Sequence, residues 1–152
     1  MSATSPQATT WVSIPRVLVV DDDEVLREAL CTLLTERGFE VVGEAGDGTQ
    51  GVSLARQRHP DVVLIDFRMP GMDGLEATNL IKAEAPLVQA VIFTAYDDQT
   101  LDLEAARADV YCLLVKGCSP QLMLDMVRQA ARRKWELESA RGRPSFFPFR
   151  PE

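Results

Sequence analysis

The chain has little histidine, little cysteine and no long hydrophobic run. His59 is the single histidine. One histidine excludes a histidine-rich metal site. Its place before Pro60, in a helix-to-strand loop at the sheet edge opposite the acidic strand ends, argues against a Ser-His-Asp arrangement there. The cysteines are three, Cys31, Cys112 and Cys118, with no C-x-x-C pair. An odd number without that spacing supports neither a disulfide framework nor a zinc ribbon, and these read as packed thiols. Apolar runs such as Val17–Val20 and Val62–Ile65 are four residues long, far short of the roughly 20 that span a bilayer. Met1–Thr10 has no basic start and no apolar middle, unlike a secretory signal. Glycines cluster in Gly43-Glu44-Ala45-Gly46-Asp47-Gly48, but without G-x-G-x-x-G spacing, and no P-loop is present. The expected home is the cytoplasm.

What is there is an ordinary globular mixture. The 152 residues are 46% hydrophobic and 26% charged, enough for one domain with a real core. Charge is divided unevenly. Residues 1–127 hold 9 Lys/Arg and 20 Asp/Glu, whereas residues 128–152 hold 7 and 3. An acidic body lacks the basic face that nucleic acid requires, so direct nucleic-acid binding by the domain is not expected, nor is membrane binding.

Five short, apolar, β-branched runs read as strands: Arg16–Asp21, Glu40–Ala45, Asp61–Asp66, Gln89–Thr94 and Val110–Lys116. Each is followed by helical spacing. The first helix carries Val25, Leu26, Ala29, Leu30, Leu33 and Leu34 on one face and closes at Gly38. Later helices are anchored by Val52 and Ala55, by Leu75, Thr78 and Ile81, by Leu101, Ala105 and Ala108, and by Leu122, Met126 and Ala130. The last opens with Ser119-Pro120, a cap followed by proline at the first helical position. Alternation of this kind predicts an α/β fold with a parallel sheet covered on both faces. Residues 1–14 read as a flexible leader, 15–138 as the domain, and 139–152 as a basic tail rich in proline and phenylalanine.

In such sheets ligands bind outside the carboxyl ends of the strands. Those ends carry Asp21-Asp22-Asp23-Glu24, Asp66, Thr94 and Lys116. Carboxylates about 4 Å apart repel by roughly 4 kcal/mol at an effective dielectric near 20. A hard divalent cation compensates, and Mg²⁺ takes one or two carboxylates with phosphate oxygens and water. Lys116 adds a phosphate-seeking charge and Thr94 a hydroxyl donor. Together they are the parts of a phosphoryl-transfer site with a nucleophilic carboxylate. Taken singly, Asp22 or Asp23 also reads as a helix N-cap.

The segments Val17-Leu-Val-Val-Asp-Asp22, Pro60-Asp-Val-Val-Leu-Ile-Asp-Phe-Arg-Met-Pro-Gly-Met-Asp-Gly74, Phe93-Thr-Ala95 and Val115-Lys116 resemble the receiver domain of two-component response regulators over about residues 16–138. Val41-Val-Gly-Glu-Ala45 and Met72-Asp-Gly-Leu-Glu-Ala77 are similar to receivers that precede a LuxR-type helix-turn-helix. The resemblance implies a flavodoxin-like doubly wound (βα)5 sandwich with strand order 2-1-3-4-5. It implies that Asp66 accepts a phosphoryl group from a sensor histidine kinase or phosphotransfer protein. Mg²⁺ is then held by Asp22 and Asp66, by Asp21 through water, and by the backbone carbonyl of Arg68. Thr94 and Lys116 contact the phosphoryl oxygens. A surface of the fourth helix, fifth strand and fifth helix then switches, for a downstream protein partner or a homodimer. The chemistry is that of a phosphoacceptor signalling domain, limited to self-phosphorylation and autodephosphorylation. A phosphorylation-independent interaction module is the alternative. A haloacid-dehalogenase-type hydrolase, with Asp21 as nucleophile in Asp21-Asp22-Asp23-Glu24-Val25, is a further one; it is disfavoured by a short chain without a cap insertion.

Three positions depart from the family pattern. Leu113 stands three residues before Lys116, where family members usually carry an aromatic switch; Tyr111 lies two residues earlier and, by strand alternation, on the same face. Lys116 is followed by Gly117 where many receivers have proline, and Asp109 stands where glycine is common. Arg68 and Tyr96 flank the site and are expected to slow the approach of water to a phosphoryl group. The stretch after the fifth helix is too short for a helix-turn-helix, and its Phe146, Phe147 and Phe149 among prolines read as a docking tail or a solvated end.

Overall fold

The computed structural model describes residues 13–95, 101, 104–105 and 108–141. In chain order the elements are β1 (Arg16–Val20), α1 (Glu24–Glu36), β2 (Glu40–Ala45), α2 (Gly48–Arg58), β3 (Val62–Asp66), α3 (Gly74–Glu84), β4 (Gln89–Thr94), β5 (Cys112–Val115) and a C-terminal helix (Pro120–Ala140). The strands form one parallel sheet of order β2-β1-β3-β4-β5, the doubly wound α/β arrangement expected. Leu101, Glu104 and Ala105 of the expected fourth helix are helical, with Leu101 and Ala105 buried. The rest of that helix, apart from Ala108, falls outside the described residues. So do Tyr96, the leader up to residue 12 and the phenylalanine-bearing tail.

Strand residues alternate between two cores, which is why β1, β3 and β4 are apolar on both faces along their middles. Val17, Val19, Val62, Leu64, Val91 and Phe93 pack under α1 and the C-terminal helix, against Leu34, Met123, Leu124 and Val127. Leu18, Val20, Val63, Ile65 and Ile92 face the other way, against Ala55, Leu75, Ala77 and Ile81. On that side α2 lies close to the sheet: a Cβ on Gly51 would stand 2.9 Å from a methyl of Val20. The three cysteines are half-buried, and burial raises the Cys31 and Cys112 thiols to about 11, so they stay protonated, as packing residues do.

Helices begin at the carboxyl ends of strands on side-chain caps. Asp23, Asp47, Asp73 and Ser119 each accept a backbone N–H of the first turn, and Asp73 with Glu76 closes a reciprocal capping box. Asp23 therefore takes the capping role open to it, leaving Asp22 free for another.

The ends of three expected strands differ: β3 starts at Val62 rather than Asp61, and β5 stops at Val115, short of Lys116. β1 stops at Val20 because Asp21 turns its Oδ1 onto the Asp23 N–H at 2.8 Å, a side-chain turn that ends the extended run. β5 begins at Cys112 rather than Val110. Asp109 before it is left-handed, with φ 60°, so the turn keeps the conformation a glycine would adopt more cheaply. Tyr111 consequently precedes the strand, and alternation does not extend to it. It packs with the α1 and C-terminal helix core, and its hydroxyl stands 3.5 Å from Gln129 Oε1, whereas Leu113 faces the opposite core. Tyr111 and Leu113 do not share a face. Gly117 uses its freedom at φ 96°.

The C-terminal helix is tied to the sheet's amino edge. Lys134 Nζ donates to Asp61 Oδ1 at 3.0 Å and to Glu138 Oε2 at 2.9 Å, and Asp61 Oδ2 accepts the Arg16 N–H at 2.9 Å. His59 sits at that same pole, as the left-handed C-cap of α2.

Candidate functional site

Three strand ends and one loop build the site. Asp21 and Asp22 leave β1, Asp66 ends β3, Thr94 ends β4, and Lys116 follows β5. Oxygens of Asp21, Asp22 and Asp66 lie within 4.8 Å of one another. Asp21 and Asp66 are buried, at 1% and 3% exposure, while Asp22 faces solvent. Lys116 Nζ stands 3.2 Å from Asp66 Oδ1 and 3.9 Å from Asp21 Oδ2. Thr94 is buried beside them, and its carbonyl accepts the Lys116 N–H at 2.7 Å. That bond sets Lys116 at the same level as Thr94. The fold thus gathers five of the expected residues at one edge.

The electrostatics are unfavourable to three ionised carboxylates. Burial, then the neighbouring Asp21 charge, raises Asp66 to about 6, against the lowering effect of Lys116. Burial likewise raises Asp21, opposed by its bond from the Asp23 N–H and by Lys116. One lysine does not neutralise the cluster. Among the described residues, Asp21 Oδ2 is a buried side-chain oxygen with no hydrogen-bond partner. Such an orphan in the middle of an acidic cluster suits a hard cation that takes oxygen ligands, and the set of three carboxylates fits Mg²⁺ better than any softer metal.

The Asp66 backbone is held from below. Phe67 donates its N–H to the Phe93 carbonyl, and the Gly74 N–H returns to the Phe67 carbonyl at 2.8 Å. The start of α3 is pressed so closely on this turn that a Cβ on Gly74 would overlap the Asp66 carbonyl oxygen. The glycine that closes Pro70-Gly-Met-Asp-Gly74 therefore has a packing reason. Arg68, two residues past Asp66, is exposed with its guanidinium 5.2 Å above the Phe67 ring.

One contributor was not singled out from the sequence. Arg27, in the first turn and a half of α1, donates to the Asp21 carbonyl at 2.7 Å and to Glu44 at 3.1 Å. Its position among the helix residues carries no motif; only the packing of α1 beside the end of β2 brings it to the site.

Comparison with known proteins points the same way. A family model described as the response regulator receiver domain matches residues 17–128. The transcriptional regulatory protein PdtaR of Mycobacterium tuberculosis is 34% identical over 140 residues, covering 91% of this chain and 68% of that protein. The transcriptional regulatory protein LiaR of Bacillus subtilis is 37% identical over 125 residues, covering 82% of this chain and 59% of its own length. The chain thus spans roughly three-fifths to two-thirds of these relatives. Among solved structures, a LuxR-family two-component response regulator from Aurantimonas superposes with a TM-score of 0.75 at 30% identity, over 79% of this chain and 86% of that one. A CheY-like receiver domain protein from Methanospirillum hungatei reaches 0.77 at 21% identity over 82% and 99%, a likeness of fold.

Proposed function

The chain belongs to the response regulator receiver family, and on that premise we propose that Asp66 is its phosphoacceptor, charged by a phosphohistidine on a sensor kinase or phosphotransfer protein. The observation that carries this is the buried Asp66 carboxylate, 3.2 Å from Lys116 and crowded by Asp21 and Asp22. A carboxylate oxygen of Asp66 attacks phosphorus in line. The new O–P bond forms as the N–P bond of the donor breaks, and the electron pair returns to the imidazole nitrogen, which takes a proton. At neutral pH a group titrating near 6 is mostly ionised and ready to attack.

Lys116 and Thr94 meet the transferred group. The ammonium loses Asp66 as a partner when that oxygen is esterified, and moves its charge onto a phosphoryl oxygen. The Thr94 hydroxyl donates to another. Asp21, Asp22 and Asp66, with the Arg68 backbone carbonyl, would hold Mg²⁺, which when bound supplies the positive charge that lets an anionic donor approach three carboxylates. Phosphorylation then biases the surface around the fourth helix, β5 and the C-terminal helix, for a downstream protein or a second copy. The relatives named as transcriptional regulators suggest that, in a longer product, the output is promoter binding by another domain. A kinase that signals through this receiver meets it in the cytoplasm.

A phosphorylation-independent module is the second reading. Leu113 at the usual aromatic position, with Tyr111 turned to the C-terminal helix at Gln129, favours it. Intact mass after incubation with acetyl phosphate and Mg²⁺ separates the two. One phosphoryl group on wild type and none on Asp66→Asn supports the phosphoacceptor reading. No gain, where a control receiver is labelled, overturns it. Steady release of phosphate by wild type that Asp21→Asn abolishes and Asp66→Asn leaves intact would point to the hydrolase chemistry instead.

A further inference from the structure

We propose that Arg27 is a positioning residue for the cation site, and that Glu44 is the latch that keeps its guanidinium away from the carboxylates. The inference rests on reading Asp21, Asp22 and Asp66 as that site.

The geometry is specific. Arg27 Nη1 donates to the Asp21 carbonyl oxygen at 2.7 Å, and Nε donates to Glu44 Oε1 at 3.1 Å. The Arg27 side chain is 17% exposed, against 48% for Glu44. Gly46 leaves it room, since a Cβ there would stand 3.3 Å from Nη1. Every other polar group of Asp21 that the protein can reach is already engaged. Its N–H donates to the Ala45 carbonyl at 3.0 Å, and its Oδ1 accepts from the Asp23 N–H at 2.8 Å. With Arg27 on the carbonyl, only Oδ2 is left without a hydrogen bond.

Two consequences follow from elementary chemistry. The Asp21 carbonyl and the Asp22 N–H belong to one rigid peptide plane. Holding the oxygen fixes that plane and so the direction in which exposed Asp22 leaves the strand. β1 pairs with β3 only as far as Val20, so no strand neighbour on that side does this. The second consequence concerns charge. A guanidinium is a natural bidentate partner for carboxylates, and one released beside Asp21, Asp22 and Asp66 would compete with a divalent cation for them. Glu44, at the end of β2, gives the fork an anion outside the cluster. An exposed Arg–Glu pair by itself contributes little to stability, so the effect belongs in metal affinity.

Calorimetric Mg²⁺ titration of the full chain at neutral pH tests this, with thermal melts in EDTA alongside. Arg27→Ala is expected to weaken Mg²⁺ about tenfold, as loss of an outer-shell partner does, with Arg27→Lys intermediate. Glu44→Ala weakens binding by about threefold when Arg27 is present and not at all in the Arg27→Ala background, a non-additivity that a mere packing role would not produce. The backbone amide resonance of Asp22 shifts in metal-free Arg27→Ala. Wild-type affinity in both single variants, or additive losses in the double one, overturns the proposal. If Arg27→Ala does not fold, Arg27→Lys and Glu44→Ala decide it, unchanged affinity in both counting against it. A wild-type chain that binds no Mg²⁺ overturns the site reading beneath it, a separate outcome.

Discussion

Replacing Asp66, the proposed acceptor, should make the metal-free protein more stable. Asp66 is buried, and burial with the Asp21 charge lifts it to about 6, from an ordinary aspartate near about 3.9. That rise penalises the ionised form by about 3 kcal/mol at neutral pH, with the favourable Lys116 contact already included. Asparagine has the shape of the carboxyl and none of its charge. Because Asp21 shares the same charge cluster, part of the relief is redistributed, and Asp66→Asn should gain about 1–3 kcal/mol in EDTA at pH 7.5. For a chain of this length each kcal/mol moves Tm by roughly 2–4 °C, so a rise of roughly 2–12 °C is expected. The sign with pH follows. The folded state holds the proton more tightly than the unfolded one, so metal-free wild type gains stability as pH falls from about 7 through 6 towards about 4, and the difference from Asp66→Asn shrinks there. Mg²⁺ acts in the same direction as low pH, stabilising wild type by about 2.7 kcal/mol at a hundredfold excess over its Kd and closing the gap. Scanning calorimetry over pH 5–8, with and without Mg²⁺, measures all three. A metal-free Asp66→Asn that melts at or below wild type at pH 7.5 would refute the reasoning.

Other perturbations have defined outcomes. Gly74→Ala drives a methyl into the Asp66 carbonyl and should cost about 2–4 kcal/mol in urea unfolding, with slower labelling by acetyl phosphate because the backbone of the proposed acceptor must shift. Asp109→Gly relieves a left-handed aspartate and should gain about 1 kcal/mol, less the small exposed pair with Lys82; a lower Tm would count against strain at that turn. Lys134→Met strands the buried Asp61 carboxylate and should cost about 2 kcal/mol, with part recovered by adding Asp61→Asn, as read by equilibrium unfolding. Lys116→Met leaves three acidic groups without their ammonium, so it should lower metal-free Tm while Mg²⁺ binding tightens, a pairing that calorimetry resolves.

The sheet, its parallel sense and the edge that carries the chemistry were legible in the chain itself. Apolar β-branched runs alternating with helical spacing admit few architectures, and chain direction alone puts Asp21, Asp66, Thr94 and Lys116 at one set of strand ends. The capping aspartates were legible too, though not which of Asp22 and Asp23 would cap, because both satisfy the local rule and only the Asp23–Leu26 bond decides. Tertiary structure settled the rest. Tyr111 left the face of Leu113 because a left-handed Asp109 delays the strand, and parity holds only inside a strand. Arg27 reached the Asp21 carbonyl because α1 packs beside β2, and Gly74 has no room for a side chain because α3 starts against the Asp66 backbone. Local sequence sets periodicity and end chemistry, whereas contacts between segments distant in the chain depend on how layers pack, and no window of residues contains that.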